Sequence, residues 1–207
     1  GKRPPKRNGR EIAEGSTHHM SYILRTTIEK GGYTVYNFLL PNEYVNNIFA
    51  ITPEKLAALG IRGIITDLDN TLVEWDRPNA TEELQTWLLQ MKEAGIRIII
   101  ASNNNEARVK HFAEPIGIPY IFKARKPLGG AYYRALVRLK LRPEEVAMVG
   151  DQLLTDVMGG KRLKLYTFLV RPVAQSDGFV TRFNRFVERR VFNDLQRKGI
   201  RTWEDEA

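Results

Sequence analysis

The sequence predicts an α/β protein in which helices wrap both faces of a central parallel sheet. Three observations carry that expectation. Short, almost wholly apolar runs recur between residues 61 and 170, and amphipathic stretches with recognisable helix starts and stops separate them. Polar and charged residues collect directly after four of these runs, where an open parallel sheet builds its sites. Strands buried on both faces read as continuous apolar runs, and their alternation with helices marks a parallel sheet.

The first strand is expected over residues 63–67, GIITD, ending at Asp67. A helix follows from Thr81, whose hydroxyl can cap the first turn while Glu82 and Glu83 favour the positive end of the helix dipole; Gly95 stops it. The second strand is placed at 97–102, and a helix from Glu106 runs toward a stop at Gly117. The third strand is placed at 120–124 with a helix from about Leu128, the fourth at 146–150 with a helix from about Thr155, and the fifth at 165–170. Residues 61–172 are thus expected to form one core. Residues 1–20, polar and rich in Pro, Gly and basic side chains, read as a flexible basic tail of the kind left by cloning. Residues 21–60 read as a helical and aromatic amino-terminal extension, and 173–207 as a basic amphipathic helix packed on or near the core.

Composition narrows the function classes. The apolar fraction of 43% is that of an ordinary globular chain. The longest apolar stretch, around residues 96–101, is far short of the roughly 20 residues that cross a bilayer. No transmembrane segment and no secretory signal are expected, and a cytoplasmic address fits. With no cysteine, disulfides, a thiolate nucleophile and a cysteine zinc site are excluded. A net charge of +8 predicts attraction to an anionic partner, whether nucleic acid, acidic lipid or phosphorylated substrate.

Asp67 and Asp69 lie two residues apart at the end of an apolar run, so in an extended chain both point to one side. Alone, the pair could be turn punctuation. Its company argues for a site: Ser102 and Asn103 to Asn105 follow the second strand, Lys123, Arg125 and Lys126 the third, and Asp151 the fourth, with Asp156 five residues on. Four acids cannot crowd together uncompensated. A hard divalent cation relieves the repulsion, and carboxylate oxygens suit magnesium. Ser102 and Lys126 can then donate to phosphoryl oxygens, and metal, ammonium and hydroxyl together can stabilise a phosphoryl-transfer transition state. A phosphate-cradling Gly-x4-Gly-Lys-Ser/Thr loop is absent. His111, the one histidine outside the tail, lies within a helical stretch and reads as a surface or packed side chain, so a serine–histidine triad is not supported.

Asp67-x-Asp69-x-Thr71, Ser102 after an apolar strand, Lys126-Pro127, and Gly150-Asp151-x4-Asp156 resemble the four motifs of the haloacid dehalogenase superfamily of phosphohydrolases. The stretches LLPNEYV, ITDLDNTLVEWDRP, SNNNEARV, KARKP and GDQLLTDV are similar to the bacterial YqeG family, relatives of mitochondrial phosphatidylglycerophosphate phosphatases, over roughly residues 38–200. The resemblance implies a Rossmann-like fold without a large cap domain. It implies Asp67 as nucleophile forming an aspartyl-phosphate, and Asp69 as general acid and then base. Magnesium would be held by the Asp67 carboxylate, the Asp69 backbone carbonyl and Asp151. For Asp156 two roles stand: a further ligand through water, or the partner that positions Lys126. Ser102 and Lys126 would hold the phosphoryl group. Thr71 and Asn103 are candidate phosphate contacts, with a turn-bracing Thr and a capping Asn as the plainer readings. Lys123 and Arg125 read as loop or headgroup contacts, and Trp75 either borders the site or packs inside.

About thirty residues separate Thr71 from Ser102 and fewer separate Ser102 from Lys126, and one helix fills most of each interval. No cap fits, and an open site favours a phosphate presented on something large. In residues 177–201 Phe179, Val180, Phe183, Phe186, Val187, Val191 and Leu195 share one helical side, with Arg182, Arg185 and Arg189 on another. Such a helix fits an anionic membrane surface, and equally a helix packed on its own core. Residues 36–49 offer a second aromatic and apolar element. With the resemblance, the leading expectation is a magnesium-dependent phosphatidylglycerophosphate phosphatase, peripheral at the inner face of the cell membrane, or at the matrix face in a mitochondrion. Two alternatives remain: the same chemistry on nucleic acid ends or nucleotides, and a non-catalytic basic RNA- or ribosome-binding adaptor.

Overall fold

A computed structural model of the chain describes residues 38–174, together with Arg189 and Asn193 as isolated helical positions. The tail at 1–20, the part of the 21–60 extension before Phe38, and the apolar and basic faces expected over 177–201 lie outside the described residues, apart from an exposed Arg189. A six-stranded parallel sheet forms the centre. Its strands are β1 (Glu43–Val45), β2 (Gly63–Thr66), β3 (Arg97–Ala101), β4 (Tyr120–Ile121), β5 (Val146–Gly150) and β6 (Tyr166–Val170). The order across the sheet is β1-β6-β5-β2-β3-β4, and every pair is parallel. The helices are α1 (Pro53–Ala58), α2 (Glu82–Glu93), α3 (Glu106–Ala113), α4 (Gly129–Leu139) and α5 (Met158–Arg162).

Period-two alternation sorts the strands' side chains onto two cores. Ile64, Ile98, Ile100, Ala147, Val149 and Phe168 face Trp87 and Met91 of α2 and Phe112 of α3. Ile65, Ile99, Val146 and Met148 face Tyr132, Ala135 and Leu139 of α4. Ile64, Ile65, Ile99 and Ile100 are wholly buried, and each such side chain contributes about 1.5–3 kcal/mol. Helix starts follow the local sequence. Thr81 accepts from Leu84 N–H at 3.1 Å, Asn105 accepts from Arg108 N–H at 3.0 Å, and Gly95 and Gly117 end their helices with φ of 75° and 66°.

The five expected strands form, with different ends. The third is only two residues long, because Lys123 at φ 43° breaks the extended chain. A strand before Gly63 was not expected. Glu43–Val45 pairs with β6 at the sheet edge, and Asn42 anchors it: its amide oxygen accepts from Thr167 N–H and from the Lys161 ammonium, at 3.0 and 2.7 Å. Val45 and Ile48 are core residues, so this part of the 36–49 element packs inward. The helix expected from Thr155 begins at Met158, after a wide π-type turn over Leu153–Val157.

Chain direction reverses at the centre of the sheet. From β2 the chain moves outward through β3 and β4, then returns to β5 on the other side of β2 and proceeds to β6. The carboxyl ends of β2 and β5 therefore flank a topological switch point, where ligand crevices form in such sheets. Between Thr71 and Ser102 the regular elements are α2 and β3, and between Ser102 and Lys126 they are α3 and β4. Neither interval holds a cap domain.

Candidate active site

Asp67 extends the β2 ladder by one residue, its N–H donating to Val149 O at 2.9 Å. The chain then turns around the buried Leu68: Leu72 N–H donates to Leu68 O at 3.0 Å, and Asn70, at φ 62°, donates its N–H to Val73 O at 2.7 Å. Asn tolerates that left-handed backbone better than bulkier residues do. The turn leaves Asp67 beside the end of β5 and Asp69 toward the segment after β3, where it meets Asn104 and Arg108.

Lys126 is the hub. Its ammonium, 1% exposed, lies 2.8 Å from Asp67 Oδ1 and 2.8 Å from Asp156 Oδ1. Burial alone would lower its pKa, but the charges and hydrogen bonds of Asp156 and Asp67 outweigh that and hold it well above the ordinary lysine value. Asp156 is pushed up to about 6, chiefly by burial, with Lys126 acting against the rise. Of the two roles open for Asp156, the pairing with Lys126 is thus realised. Its other oxygen accepts from Gln152 N–H at 3.2 Å, within the π-type turn. Such turns recur at functional sites because they re-aim one side chain. Gly150 is needed here: a Cβ at that position would run into the Asp156 carboxylate.

Oxygens of Asp67, Asp151 and Asp156 lie within 4.8 Å of one another, all three residues buried. Carboxylates that close repel strongly where water is scarce, and an oxygen-only donor set fits a hard divalent ion such as magnesium. Thr71 is fully buried and donates to Asp151 Oδ1 at 3.3 Å, which ties it to the acid rather than to the crevice. Ser102 is 2% exposed, and its hydroxyl oxygen accepts from Asn104 N–H at 3.1 Å. Asn103 accepts from Lys126 N–H at 2.7 Å and donates to Lys126 O at 3.4 Å, so its amide positions the lysine backbone. Asn105 is the helix cap. Trp75 is 50% exposed, which removes the packing alternative, and His111 is exposed on α3.

Sequence reasoning missed Arg108. Its Nη2 and Nε donate to Asp69 Oδ1 at 2.8 and 3.1 Å, while Asn104 Nδ2 donates to Asp69 Oδ2 at 3.2 Å. The guanidinium also stacks over Phe112, 5.7 Å from the ring centre. Burial is the largest influence on Asp69 and raises its pKa. Asn104 and Arg108 oppose that, Asp67 adds to it, and the balance stays above the ordinary carboxylate value. One signal was available. Arg108 is the third residue of a helix capped by Asn105, and helical side chains lean toward the amino terminus, here toward the carboxyl edge of the sheet.

The family described as haloacid dehalogenase-like hydrolase matches residues 48–164. A Bacillus subtilis (strain 168) protein named "Probable phosphatase YqeG" is 61% identical over 168 residues, covering 81% of this chain and 98% of that protein. The phosphatidylglycerophosphate phosphatase 1 of Arabidopsis thaliana chloroplasts and mitochondria is 27% identical over 175 residues, 79% of this chain and 50% of that one. Among solved structures, the cobalt-bound deoxy-D-mannose-octulosonate 8-phosphate phosphatase of Haemophilus influenzae has a TM-score of 0.45 at 15% identity, covering 54% of this chain and 68% of that one. The chain belongs to the haloacid dehalogenase-like hydrolase family and is a phosphatase.

Proposed function

We propose that the chain is a magnesium-dependent phosphomonoester hydrolase that works through an aspartyl-phosphate, and that its substrate is phosphatidylglycerophosphate met at an anionic membrane surface. The observation that carries the chemistry is the buried Lys126 ammonium bridging Asp67 and Asp156 beside Asp151, at the switch point of the sheet. Lys126 and Ser102 hold the phosphoryl oxygens. A carboxylate oxygen of Asp67 attacks phosphorus in line; the Asp67 O–P bond forms as the bond to the leaving alcohol breaks, and Asp69 gives that alcohol its proton. In the second half Asp69 takes a proton from water, which displaces phosphate and restores Asp67. The two opposing influences on Asp69 match this alternation. Burial favours the protonated form needed first, and Arg108 and Asn104 favour the ionised form needed second. Asp67 and Asp151, with the Asp69 backbone carbonyl, would hold magnesium, which when bound supplies positive charge against the phosphoryl oxygens, while Asp156 keeps Lys126 in place.

The lipid substrate is supported by likeness to relatives named for it and by a site that no described domain covers. Among the described residues no helix is long and apolar enough to cross a membrane; the contact proposed is peripheral, at the inner face of the membrane. Phosphate release from phosphatidylglycerophosphate in mixed micelles, a 5′-phosphorylated oligonucleotide and glycerol 3-phosphate tests the reading. The lipid should be turned over with the highest kcat/KM, only with magnesium. Preference for the oligonucleotide would replace the lipid reading with the nucleic acid one.

A further inference from the structure

The loop between β4 and α4 does more than carry Lys126. Lys123 and Arg125 are exposed, whereas the alternating Ala124 and Lys126 are 3% and 6% exposed. Both outward residues sit in the left-handed region, at φ 43° and 55°, which side chains avoid because Cβ crowds the following carbonyl. Neighbouring backbone holds them there. Lys123 N–H donates to Asn104 O and Ala124 N–H to Ser102 O, each at 2.9 Å, and Leu128 N–H donates to Arg125 O at 2.8 Å. Backbone strain kept in place by its surroundings clusters at functional sites.

Beside this loop lies a depression of about 390 Å³ whose lining includes Lys123, Arg125, Leu128, Gly130 and Arg134. Three cations line it and no carboxylate does. None of the three is in an ion pair with a described residue. A Cβ built on Gly130 would have the Arg134 guanidinium as its nearest neighbour, at 3.7 Å, so that cation lies over the first turn of α4. The turn has no acid and no side-chain cap. A cation beside the positive end of a helix is repelled by it, whereas an anion between them is attracted by both. Helices α1, α2 and α3 instead place Glu54, Glu82 with Glu83, and Glu106 in their first turns.

We propose that this depression is an anion subsite that takes a second phosphate, carried on the leaving alcohol of the substrate. It rests on the phosphomonoester reading above and extends it beyond the bond that breaks. Lys126 faces the reacting phosphate inside, and Arg125, whose Cα is about 3.8 Å along the chain, faces outward. The depression thus begins one residue along the chain from the lysine assigned to the reacting phosphate, and a second phosphate tethered to the first by a short polyol is the ligand proposed for it. In phosphatidylglycerophosphate a glycerol separates the monoester from the phosphodiester, and a soluble alcohol carrying both groups offers the same chemistry.

The test compares the full chain with the double variant Arg125→Gln/Arg134→Gln, whose changes fall on exposed side chains. Three substrates separate the sources: glycerol 3-phosphate, with one phosphate; deacylated phosphatidylglycerophosphate, soluble and with both; and the lipid in micelles. Loss of two charge-assisted contacts should lower kcat/KM for both two-phosphate substrates about tenfold or more, through KM, with glycerol 3-phosphate changed less than about twofold. Equal loss on all three substrates, or no loss on any, overturns the subsite. Wild-type preference for the soluble two-phosphate ester without turnover of the lipid keeps the subsite and removes the lipid substrate; lipid turnover unchanged in the variant does the reverse. Calorimetry with glycerophosphoglycerol gives a readout independent of turnover. Binding to wild type and not to the variant is expected, and no binding to wild type overturns the proposal.

Discussion

Arg108→Gln removes two of the three hydrogen bonds that orient Asp69, those at 2.8 and 3.1 Å, and leaves the Asn104 contact at 3.2 Å. Hydrogen bonds to a charged group contribute about 1.5–3 kcal/mol. The pair is 16% and 20% exposed, so solvent screening brings the loss to about 1–2 kcal/mol. If all of it appears in the barrier, kcat for an alkyl phosphate falls about 5–30-fold. The reading rests on which substrate suffers. Alkoxides leave slowly without a proton, so misplacing the acid is felt fully. 4-Nitrophenolate leaves without one, and 4-nitrophenyl phosphate should lose less than about threefold. Arg108→Lys restores the charge but not the forked donor, and should recover part of the alkyl rate. Parallel kcat measurements on glycerol 3-phosphate and 4-nitrophenyl phosphate decide it. Equal losses would mean that Arg108 supports the whole crevice rather than Asp69, and a faster variant would mean that Arg108 restrains Asp69.

Saturating magnesium should raise the melting temperature of the wild type, because a ligand at about 100 times its Kd adds about 2.7 kcal/mol to the folded state. Asp151→Asn should lose most of that rise, and thermal unfolding with and without the ion checks it; an undiminished rise would place the ion elsewhere. Gly150→Ala should displace Asp156 from the Lys126 ammonium. Overpacking of this kind costs about 1–3 kcal/mol, so the urea midpoint should drop along with activity, and an active variant of wild-type stability would show that the Asp156 contact is dispensable.

The sheet was legible because its strands are buried on both faces: GIIT and RIIIA leave little else for the chain to be. β1 was not, since EYV is too short to show a period and owes its place to pairing with β6 and to the bonds of Asn42. The carboxylates were proposed from spacing and company, because Asp67 and Asp151 each close an apolar run and Asp69 and Asp156 follow them at short intervals. Their division of labour was not legible. That Asp156 meets Lys126 depends on a π-type turn that Leu153–Val157 does not announce. That Asn103 and Thr71 brace Lys126 and Asp151 instead of reaching outward depends on how two loops meet. Arg108 was hidden for a simpler reason: an arginine in a helix is usually solvated, and only the direction of its lean brings it back over the strand ends.

Trapping the covalent intermediate bears most directly on the chemistry proposed for these residues. Acid quenching during turnover of a ³²P-labelled phosphomonoester, followed by peptide mapping, should find label on Asp67 as an acyl phosphate, released by hydroxylamine and absent from a folded Asp67→Asn variant. Label on another residue, or turnover by the Asp67→Asn variant, would contradict the assignment of Asp67 as the nucleophile.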